Sequence, residues 1–415
     1  MMVLDIGIVG CGVAGQAAAI LLADAGHRVT IFERFAEPRP IGAGLLLQPT
    51  GLAVLRELGL ADEAMALGAR ITGLESKTHR GRGVLDLRYA NLHPSAFGLG
   101  IRRSDLFDLL HKRLLASQAR LVTAAEIVDV DQTHIVEENG KRHGPFDLLV
   151  AADGTNSALR ERLMPDARAP LYPWGCFWTT VPDLAGIGAG GLLRQRVRGT
   201  TIMMGLLPVG QGQVTLFWSL PLKALARNRP IDMAAWRTVA TEVWPEAAPI
   251  VARAAESEIT RASYRHVSLP RWNAGPVLFI GDAAHGTSPQ LGQGANLGLV
   301  DAQALSVALA ESPDLLSAFL LFERRRDPTV RYYRQASHLL TPFFQSRLAP
   351  LGWLRDAFMG WACHVPGVRP MMGSTLAGTR TGWFSSATLD GGGCYPLARA
   401  SLAKRPGVNP KRAAK

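Results

Sequence analysis

A glycine-rich turn between an apolar strand and a helix near the amino terminus limits the folds that this chain can adopt. The strand runs into Gly10-x-Gly12-x-x-Gly15, and a second strand after the helix ends in Glu33. In such a unit the glycines make the turn, admit a pyrophosphate and let helix and strand pack closely. The helix start favours the anion, and the acidic residue can bind ribose hydroxyls. The segment predicts a dinucleotide site, with an ordinary α/β turn as the alternative.

Length and composition are typical of a soluble protein with several domains. The chain has 415 residues, of which 47% are hydrophobic, and this length suffices for two or three domains. No apolar run approaches the roughly 20 residues that a membrane span needs. The amino-terminal residues lack the pattern of a signal peptide, and the four cysteines show no C-x-x-C or metal-ligand spacing. We therefore expect a cytoplasmic protein without a metal site.

Positive charge is concentrated at the carboxyl end. The net charge is +11, and residues 399–415 contain six basic side chains and no acidic one. We expect residues 396–415 to form a disordered basic tail. The tail either solubilises the protein or attracts it to an anionic membrane surface. Because no nucleic-acid fold signature accompanies the tail, we expect no nucleic-acid partner.

Three further segments place glycine or charged residues where an α/β sheet exposes its ligand edge. Gly44 lies in a glycine-spaced stretch that is typical of backbone pressed against a flat ligand. Arg103 precedes a helix, where it can serve a phosphate or lie on a solvated face. Asp153-Gly154 ends an apolar strand, as expected at the ligand edge of a doubly wound sheet.

The most specific segment follows a buried strand near residue 280. The strand leads into Gly281-Asp282, and a proline-containing loop then leads to a glycine-rich helix start. The Asp282 carboxylate can accept hydrogen bonds from ribose or polyol hydroxyls, and the helix start offers N–H donors to a second anionic group. With the first turn, this predicts a long ligand that carries an adenosine pyrophosphate at one end and an electron-rich ring at the other.

These motifs make the chain similar to the FAD-dependent aromatic hydroxylases, the single-component flavoprotein monooxygenases that include p-hydroxybenzoate hydroxylase and the ubiquinone-pathway hydroxylases. The resemblance spans residues 3 to about 325 and includes the sequence G-D-A-A-H…P…G-Q-G-A-N. It implies a resident FAD. The residues implied in FAD binding are Gly10, Gly12, Gly15, Glu33, Arg34, Gly44, Arg103, Asp153, Asp282, Pro289, Gly292, Gly294 and Asn296.

The resemblance also implies roles at the two ends of the FAD. Glu33 is expected at the adenosine ribose, and Asp282 at the ribityl–pyrophosphate portion. Asp153-Gly154 is implicated in both FAD structure and NAD(P)H use. Backbone amides at Gly292 and Gly294 would face the pyrimidine side of the flavin, where fixed donors stabilise negative charge.

The implied reaction is hydroxylation of an aromatic, phenolic or quinoid substrate. NADH or NADPH would reduce the flavin from a transient position, since the chain has no second dinucleotide fingerprint. O2 would then form a flavin C4a-hydroperoxide that passes one oxygen atom to the substrate. Pro289 is expected beside the flavin, whereas His285 is expected to be structural. The sequence identifies no catalytic base.

The middle of the chain predicts antiparallel strands that cover the substrate. Two apolar runs flank Gly210-Gln211-Gly212, as in a hairpin. Apolar residues here favour a lipophilic substrate, although ordinary sheet core explains each of them equally well. The pocket candidates are Met204, Leu206, Phe217 and Trp218.

The predicted fold class is α/β (α+β), a Rossmann-like FAD-binding domain with an inserted antiparallel sheet and a helical carboxyl end. Pro328, Pro342 and Pro350 are expected to break the helices there. An apolar stripe from Trp353 to Trp361 either packs on the catalytic domains, forms a homodimer contact, or lies on a membrane, so the protein is expected to be a monomer or homodimer. The predicted boundaries are 1–168 and 271–325 for the FAD-binding domain, 169–270 for the substrate sheet, 326–395 for the helical region and 396–415 for the tail.

Two other flavoprotein functions remain open at this stage. A reductase of the geranylgeranyl-reductase type would share the fold and would not consume oxygen. A non-catalytic FAD-binding protein would turn over neither NAD(P)H nor O2. A halogenase is disfavoured because the W-x-W-x-I-P signature is absent from the sequence.

Overall fold

A computed structural model describes residues 3–40, 43–226 and 230–397. The predicted tail therefore lies almost entirely outside the described residues, as do positions 41 and 42 of the glycine-spaced stretch. The strands are β1 (Asp5–Val9), β2 (Arg28–Phe32), β3 (Gly44–Leu47), β4 (Ala69–Ile71), β5 (Gly73–Thr78), β6 (Gly83–Arg88), β7 (Gly98–Arg102), β8 (Arg120–Val122), β9 (Ile127–Asp131), β10 (His134–Glu137), β11 (Arg142–His143), β12 (Leu148–Ala151), β13 (Leu171–Pro182), β14 (Leu192–Arg198), β15 (Ile202–Gly210), β16 (Gln213–Pro221), β17 (Thr260–Arg265), β18 (Asn273–Ala274) and β19 (Val277–Phe279). The helices are α1 (Val13–Asp24), α2 (Pro49–Glu57), α3 (Ala61–Leu67), α4 (Arg103–Leu115), α5 (Ala158–Leu163), α6 (Met233–Val243), α7 (Ala248–Ala255), α8 (Asp282–His285), α9 (Gly294–Glu311), α10 (Leu315–Phe344), α11 (Ala349–Ala362) and α12 (Val368–Leu376).

A six-stranded sheet of order β18-β19-β12-β1-β2-β8 forms the centre of the first layer. Its strands are parallel except for β18. β12 and the part of β1 after Asp5 are apolar and buried because both faces of the sheet are covered, as is usual in a parallel sheet. This sheet confirms the predicted Rossmann-like α/β class.

Small residues bring helices α1 and α9 together at the ligand edge of this sheet. A Cβ placed on Gly298 would lie 3.1 Å from the Cβ of Ala14 and 3.6 Å from the Cα of Gly281. The three residues thus leave no room for a larger side chain. Their contact sets the amino-terminal ends of α1 and α9 side by side.

A seven-stranded sheet of order β17-β13-β16-β15-β14-β5-β6 forms the second layer. Its neighbours are antiparallel except for the parallel pair β14–β5. The hairpin β15–β16 lies where the sequence predicts it. β5 and β6 come from the part of the chain before residue 168 and complete this sheet, so its strands are not all drawn from residues 169–270. Their pairing with β14 joins residues more than a hundred positions apart, which local patterns do not reveal.

The carboxyl-terminal helices depart from the prediction at their prolines. Pro328 and Pro342 lie inside α10 and do not end it, whereas Pro350 lies in the first turn of α11. A proline inside a helix costs about 3 kcal/mol. α10 tolerates it because its buried side chains on both sides of Pro328 pack against the rest of the chain. The predicted start of the helical region at residue 326 therefore falls within α10.

The apolar stripe on α11 does not pack on the rest of the described chain. Trp353 and Trp361 are 73% and 68% exposed, and Phe358 is 59% exposed. The only charged residues of α11 are turned the other way: Arg355 is buried and pairs with Asp356 at 2.6 Å. Among residues 3–397, apart from the gaps, no helix is long and apolar enough to cross a membrane.

Candidate active site

The glycine-rich turn combines two packing glycines with one that faces open space. Gly10 has a φ of 103°, and a Cβ on Gly15 would overlap the Gly10 carbonyl oxygen. A Cβ on Gly12, in contrast, would meet no atom within 4 Å. Gly12 is the residue just before α1, so no side chain caps the start of this helix. The free N–H groups of this helix start therefore face a space that an anion can enter.

Glu33 is fixed beside this turn. Its carboxylate accepts hydrogen bonds from the backbone N–H of Cys11 at 3.0 Å and of Phe35 at 3.1 Å. Arg34 lies with its guanidinium 4.7 Å from the centre of the Phe35 ring. Burial, together with the Glu33 charge, raises the pKa of the Cys11 thiol to about 12. The thiol therefore stays protonated, and the site presents one carboxylate beside an open helix start.

Asp153 carries a buried carboxyl group at the end of β12. Its Oδ1 is buried and has no hydrogen-bond partner among the described residues. Burial raises the pKa of this carboxyl above its usual value. Arg160 connects the segment to α8, because it donates to the carbonyl oxygen of Ala283 in that helix at 3.0 Å and to that of Thr155 at 2.8 Å. An orphaned buried acceptor at this edge fits a bound ligand that supplies a donor.

Asp282 follows β19 and is exposed toward the start of α9. A Cβ on Gly294 would lie 3.7 Å from the Asp282 Oδ1. α9 begins without a side-chain cap, and Gly292, with a φ of 61°, has open space where its side chain would be. Pro289 lies in the short turn just before Gly292. The Asp282 carboxylate and the uncapped start of α9 therefore lie beside the uncapped start of α1, because the two helices are in contact.

A buried ion-pair network supports the segment that contains Asp282. Asp301 accepts hydrogen bonds from the Gly281 N–H at 2.9 Å, from His285 Nε2 at 2.5 Å and from Arg326 Nε at 2.7 Å. Burial alone would raise the pKa of Asp301, but the charges of His285 and Arg326 lower it below its usual value. Sequence patterns do not mark Asp301 or Arg326 as functional residues. Their partnership spans two helices, and no local spacing signals it.

Two residues implied in cofactor binding have other contacts. The Asn296 side chain is buried, accepts from the Gln48 N–H at 2.8 Å and donates to the Leu46 and Gly292 carbonyl oxygens at 3.0 and 3.1 Å. Its amide positions backbone and leaves little capacity for a ligand. Gly44 touches the second sheet, because a Cβ there would overlap Thr215. Both residues thus support the backbone around the site.

Arg103 begins α4 and is partly buried, with its N–H donating to the Ala43 carbonyl oxygen at 2.6 Å. Its positive charge acts on the Tyr264 phenol of the second sheet. Burial, followed by the neighbouring Cys176, raises the pKa of Tyr264 well above its usual value, and the two side chains lie 2.7 Å apart (Oη to Sγ). This pair was missed, because nothing in the spacing of positions 176 and 264 indicates that β13 and β17 are neighbours.

Three of the four pocket candidates lie on the face of the seven-stranded sheet that α6 and α7 cover. Met204, Leu206 and Trp218 are buried beneath α6 and α7, where Trp218 contacts Trp236 with ring centres 5.9 Å apart. Side chains alternate between faces along a strand. Phe217 therefore lies on the opposite face, which touches the first layer through Thr215 and Gly44. Met204, Leu206 and Trp218 are core residues, and Phe217 alone remains a candidate.

The residues present fit a bound dinucleotide. Two uncapped helix starts supply N–H donors, Glu33 and Asp282 supply acceptors for hydroxyl groups, and Gly12 and Gly292 leave space for close approach. Both helix starts lie at the edge of the six-stranded sheet where parallel strands end. The ligand would extend from Glu33 toward Gly292.

Replacing Asp301 tests the network behind this edge. We expect Asp301→Asn to lower the free energy of unfolding by about 3–5 kcal/mol, because it leaves the Arg326 charge buried without a counter-ion. FAD content after purification should fall as well. Because the pKa of Asp301 is lowered in the folded state, its contribution is present above the unfolded value near pH ~3.9 and is lost as the pH falls through the folded value. The loss in free energy of unfolding that Asp301→Asn causes should therefore become smaller at acid pH.

Asp327→Asn is the matched control for this variant. Asp327 pairs with Arg331 at the surface, where the two side chains are 33% and 59% exposed, and an exposed pair contributes less than about 1 kcal/mol. Denaturant unfolding across the pH range measures both variants. Equal losses for the two would contradict a special role for Asp301.

The chain is similar to known proteins in sequence and in fold. The FAD binding domain family matches residues 3–314. An aurachin C monooxygenase/isomerase of Stigmatella aurantiaca is 27% identical over 366 residues, which cover 86% of this chain and 94% of that protein. A 3-amino-4-hydroxybenzoate 2-monooxygenase of Streptomyces cremeus is 31% identical over 356 residues, which cover 82% of this chain and 88% of that protein.

A solved structure shows the same fold. Klebsiella pneumoniae HpxO, crystallised with FAD and uric acid, matches with a TM-score of 0.76 at 20% identity, covering 92% of this chain and 98% of that chain. The cradle formed by the starts of α1 and α9 therefore has the residues of a dinucleotide site. The sequence matches an FAD-binding family over most of its length, and similar proteins are monooxygenases. The chain belongs to the FAD-binding aromatic hydroxylase family and is an FAD-dependent monooxygenase.

Proposed function

We propose that this enzyme uses NADH or NADPH and O2 to hydroxylate an aromatic, phenolic or quinoid substrate of lipophilic character. The proposal rests on one observation, the convergence of two uncapped helix starts and Asp282 at the edge that the second sheet covers. Bound FAD would supply the redox chemistry by accepting a hydride and activating O2. The nicotinamide provides two electrons, one oxygen atom enters the product, and the other leaves as water.

The chain itself would bind, orient and shield the reacting groups. Glu33 would hold the ribose hydroxyls at one end of the cofactor, and Asp282 the polyol chain nearer the ring. The start of α9, with Gly292, would direct N–H groups at negative charge that accumulates on the reduced ring. These roles are the ones that the resemblance implies, and the exposed carboxylate and open glycine support them.

The substrate class is inferred from the sheet face that covers the cofactor edge. Phe217 lies on this face above Gly205, and Leu207 and Val209 on the same face are buried near the first layer. Buried apolar surface favours flat or lipophilic molecules over sugars and amino acids. The names of the similar proteins, with a hydroxybenzoate and uric acid among their ligands, point to aromatic rings.

A substrate screen with the FAD-loaded enzyme tests this function. We expect a phenol, hydroxybenzoate, quinolone or quinone to accelerate the consumption of O2 together with NADH or NADPH, and the product to gain one oxygen atom. Phe217→Ala should lower kcat/KM by roughly 10–200-fold, the range for lost apolar contacts, with FAD content unchanged. Phe384→Ala, which alters a fully exposed phenylalanine, should leave kcat/KM unchanged.

Two results would contradict the proposal. Turnover without oxygen, with a double bond reduced, would identify a reductase. An equal loss of kcat/KM in both phenylalanine variants would remove Phe217 from the substrate site.

We also propose that the enzyme is cytoplasmic and binds anionic membranes peripherally through α11. The exposed stripe there carries two tryptophans, which favour membrane interfaces. Arg82 and Arg347 are exposed beside it, with no ion pair to any described residue, and Arg82 donates to the Ala357 carbonyl oxygen at 3.4 Å. Together with the basic carboxyl end, they supply positive charge for anionic headgroups.

Vesicle co-sedimentation tests the membrane proposal. We expect Leu354→Ser/Phe358→Ser to reduce binding to vesicles of phosphatidylcholine with phosphatidylglycerol, because it removes apolar area from the stripe. Leu316→Ser/Leu320→Ser removes two exposed leucines of α10, 69% and 59% exposed, and should not reduce it. Unchanged binding, or conversion of a homodimer to a monomer by the α11 variant, would show that the stripe does not bind membranes.

A further inference from the structure

A cavity of about 490 Å³ lies between α10 and the segment that follows β17. It is separate from the cradle at the starts of α1 and α9. Six polar or aromatic residues that can contact a ligand line it: His266, Ser268, Arg334, Gln335, His338 and Trp383.

The cavity carries positive charge, and none of its lining residues in the described chain adds a negative one. Arg334, which lines the cavity, forms no ion pair with any described residue. Arg334 is half-buried, and this burial lowers the pKa of its guanidinium, whereas the charge of Asp327 on the same helix raises it. One turn earlier, Arg331 already pairs with Asp327. A partly desolvated and unpaired guanidinium is a strong site for a phosphate or carboxylate.

Aromatic groups give the cavity a second property. The Trp383 indole N–H donates to Gln335 Oε1 at 2.7 Å, which fixes the ring at the cavity wall. The His266 ring is held edge-on by Tyr172 and His338, with ring centres 5.0 and 5.7 Å apart. Burial, followed by His338, lowers the pKa of His266, so this ring is neutral near pH 7. The cavity therefore fits an anion that carries flat rings.

The cavity shares its supports with the loop that precedes Pro289. The Val267 N–H donates to the Gly286 carbonyl oxygen at 2.8 Å. On α10, Thr341 lies one turn after His338 and contacts Ser288, with 3.3 Å between the hydroxyl oxygens. A ligand in the cavity would thus lie directly behind the loop that leads to the cofactor ring.

We propose that this cavity binds the nicotinamide coenzyme, with Arg334 on a phosphate and Trp383 against a ring. The inference rests on the proposed function, which needs NADH or NADPH. The chain has one dinucleotide fingerprint, at Gly10-x-Gly12-x-x-Gly15, and the resident FAD occupies that site. The coenzyme therefore requires a second place for its phosphates.

Titration of the FAD-loaded, full-length enzyme with NAD+ and NADP+ tests the assignment by calorimetry. We expect Arg334→Gln to raise the Kd of the preferred nucleotide at least ~10-fold, the loss typical of a charge-assisted hydrogen bond. Arg324→Gln, at an exposed arginine of α10 that does not line the cavity, should change the Kd less than ~2-fold. Trp383→Leu, a second and independent variant, should weaken binding as well. FAD content should be the same in all of them.

Rapid-mixing reduction of the flavin separates this inference from the proposed function. If Arg334→Gln and the wild type show the same half-saturating concentration of NADH or NADPH, the coenzyme binds elsewhere and the inference is wrong, although the function stands. If neither coenzyme reduces the wild-type flavin, the proposed function fails. An Arg334-dependent Kd in the calorimetric titration would then still establish the cavity as a nucleotide site.

Discussion

The buried carboxylate of Asp301 is the interaction on which the cofactor edge depends. It joins the backbone of Gly281 to His285 and to Arg326, and so connects β19, α8, α9 and α10 at a single point. An unpaired charge in such a place costs several kcal/mol, so the three partners are required together. Because Asp282 follows Gly281 directly, the network determines where the exposed carboxylate points.

The two layers of the protein contribute different parts of the site. The six-stranded sheet sets α1 and α9 side by side through Ala14, Gly281 and Gly298, and their free N–H groups face the same space. The seven-stranded sheet contacts this layer at Gly44 and presents one apolar face toward it. Its other face is filled by α6 and α7. A cofactor in the cradle would be anchored by the first layer and covered by the second.

Local patterns predicted the first layer well and the second only in part. The glycine turn, both strands and Glu33 lie close in sequence, so their geometry follows from local rules. In β15 both faces are buried, and Met203, Met204, Leu206 and Leu207 are all apolar. Alternation therefore did not indicate which side chains face the cofactor. The Asp301 network, the Tyr264–Cys176 pair and the β5–β14 pairing join distant residues, and only the folded chain shows them.

In the proposed function, FAD bound at the starts of α1 and α9 serves the transfer of one atom of O2 to an aromatic ring. Turnover under 18O2, with NADH or NADPH and the best substrate, tests it most directly by mass spectrometry of the product. We expect one 18O atom in the product from labelled O2 and none from labelled water. A product without label from 18O2, or one formed equally well without oxygen, would contradict it.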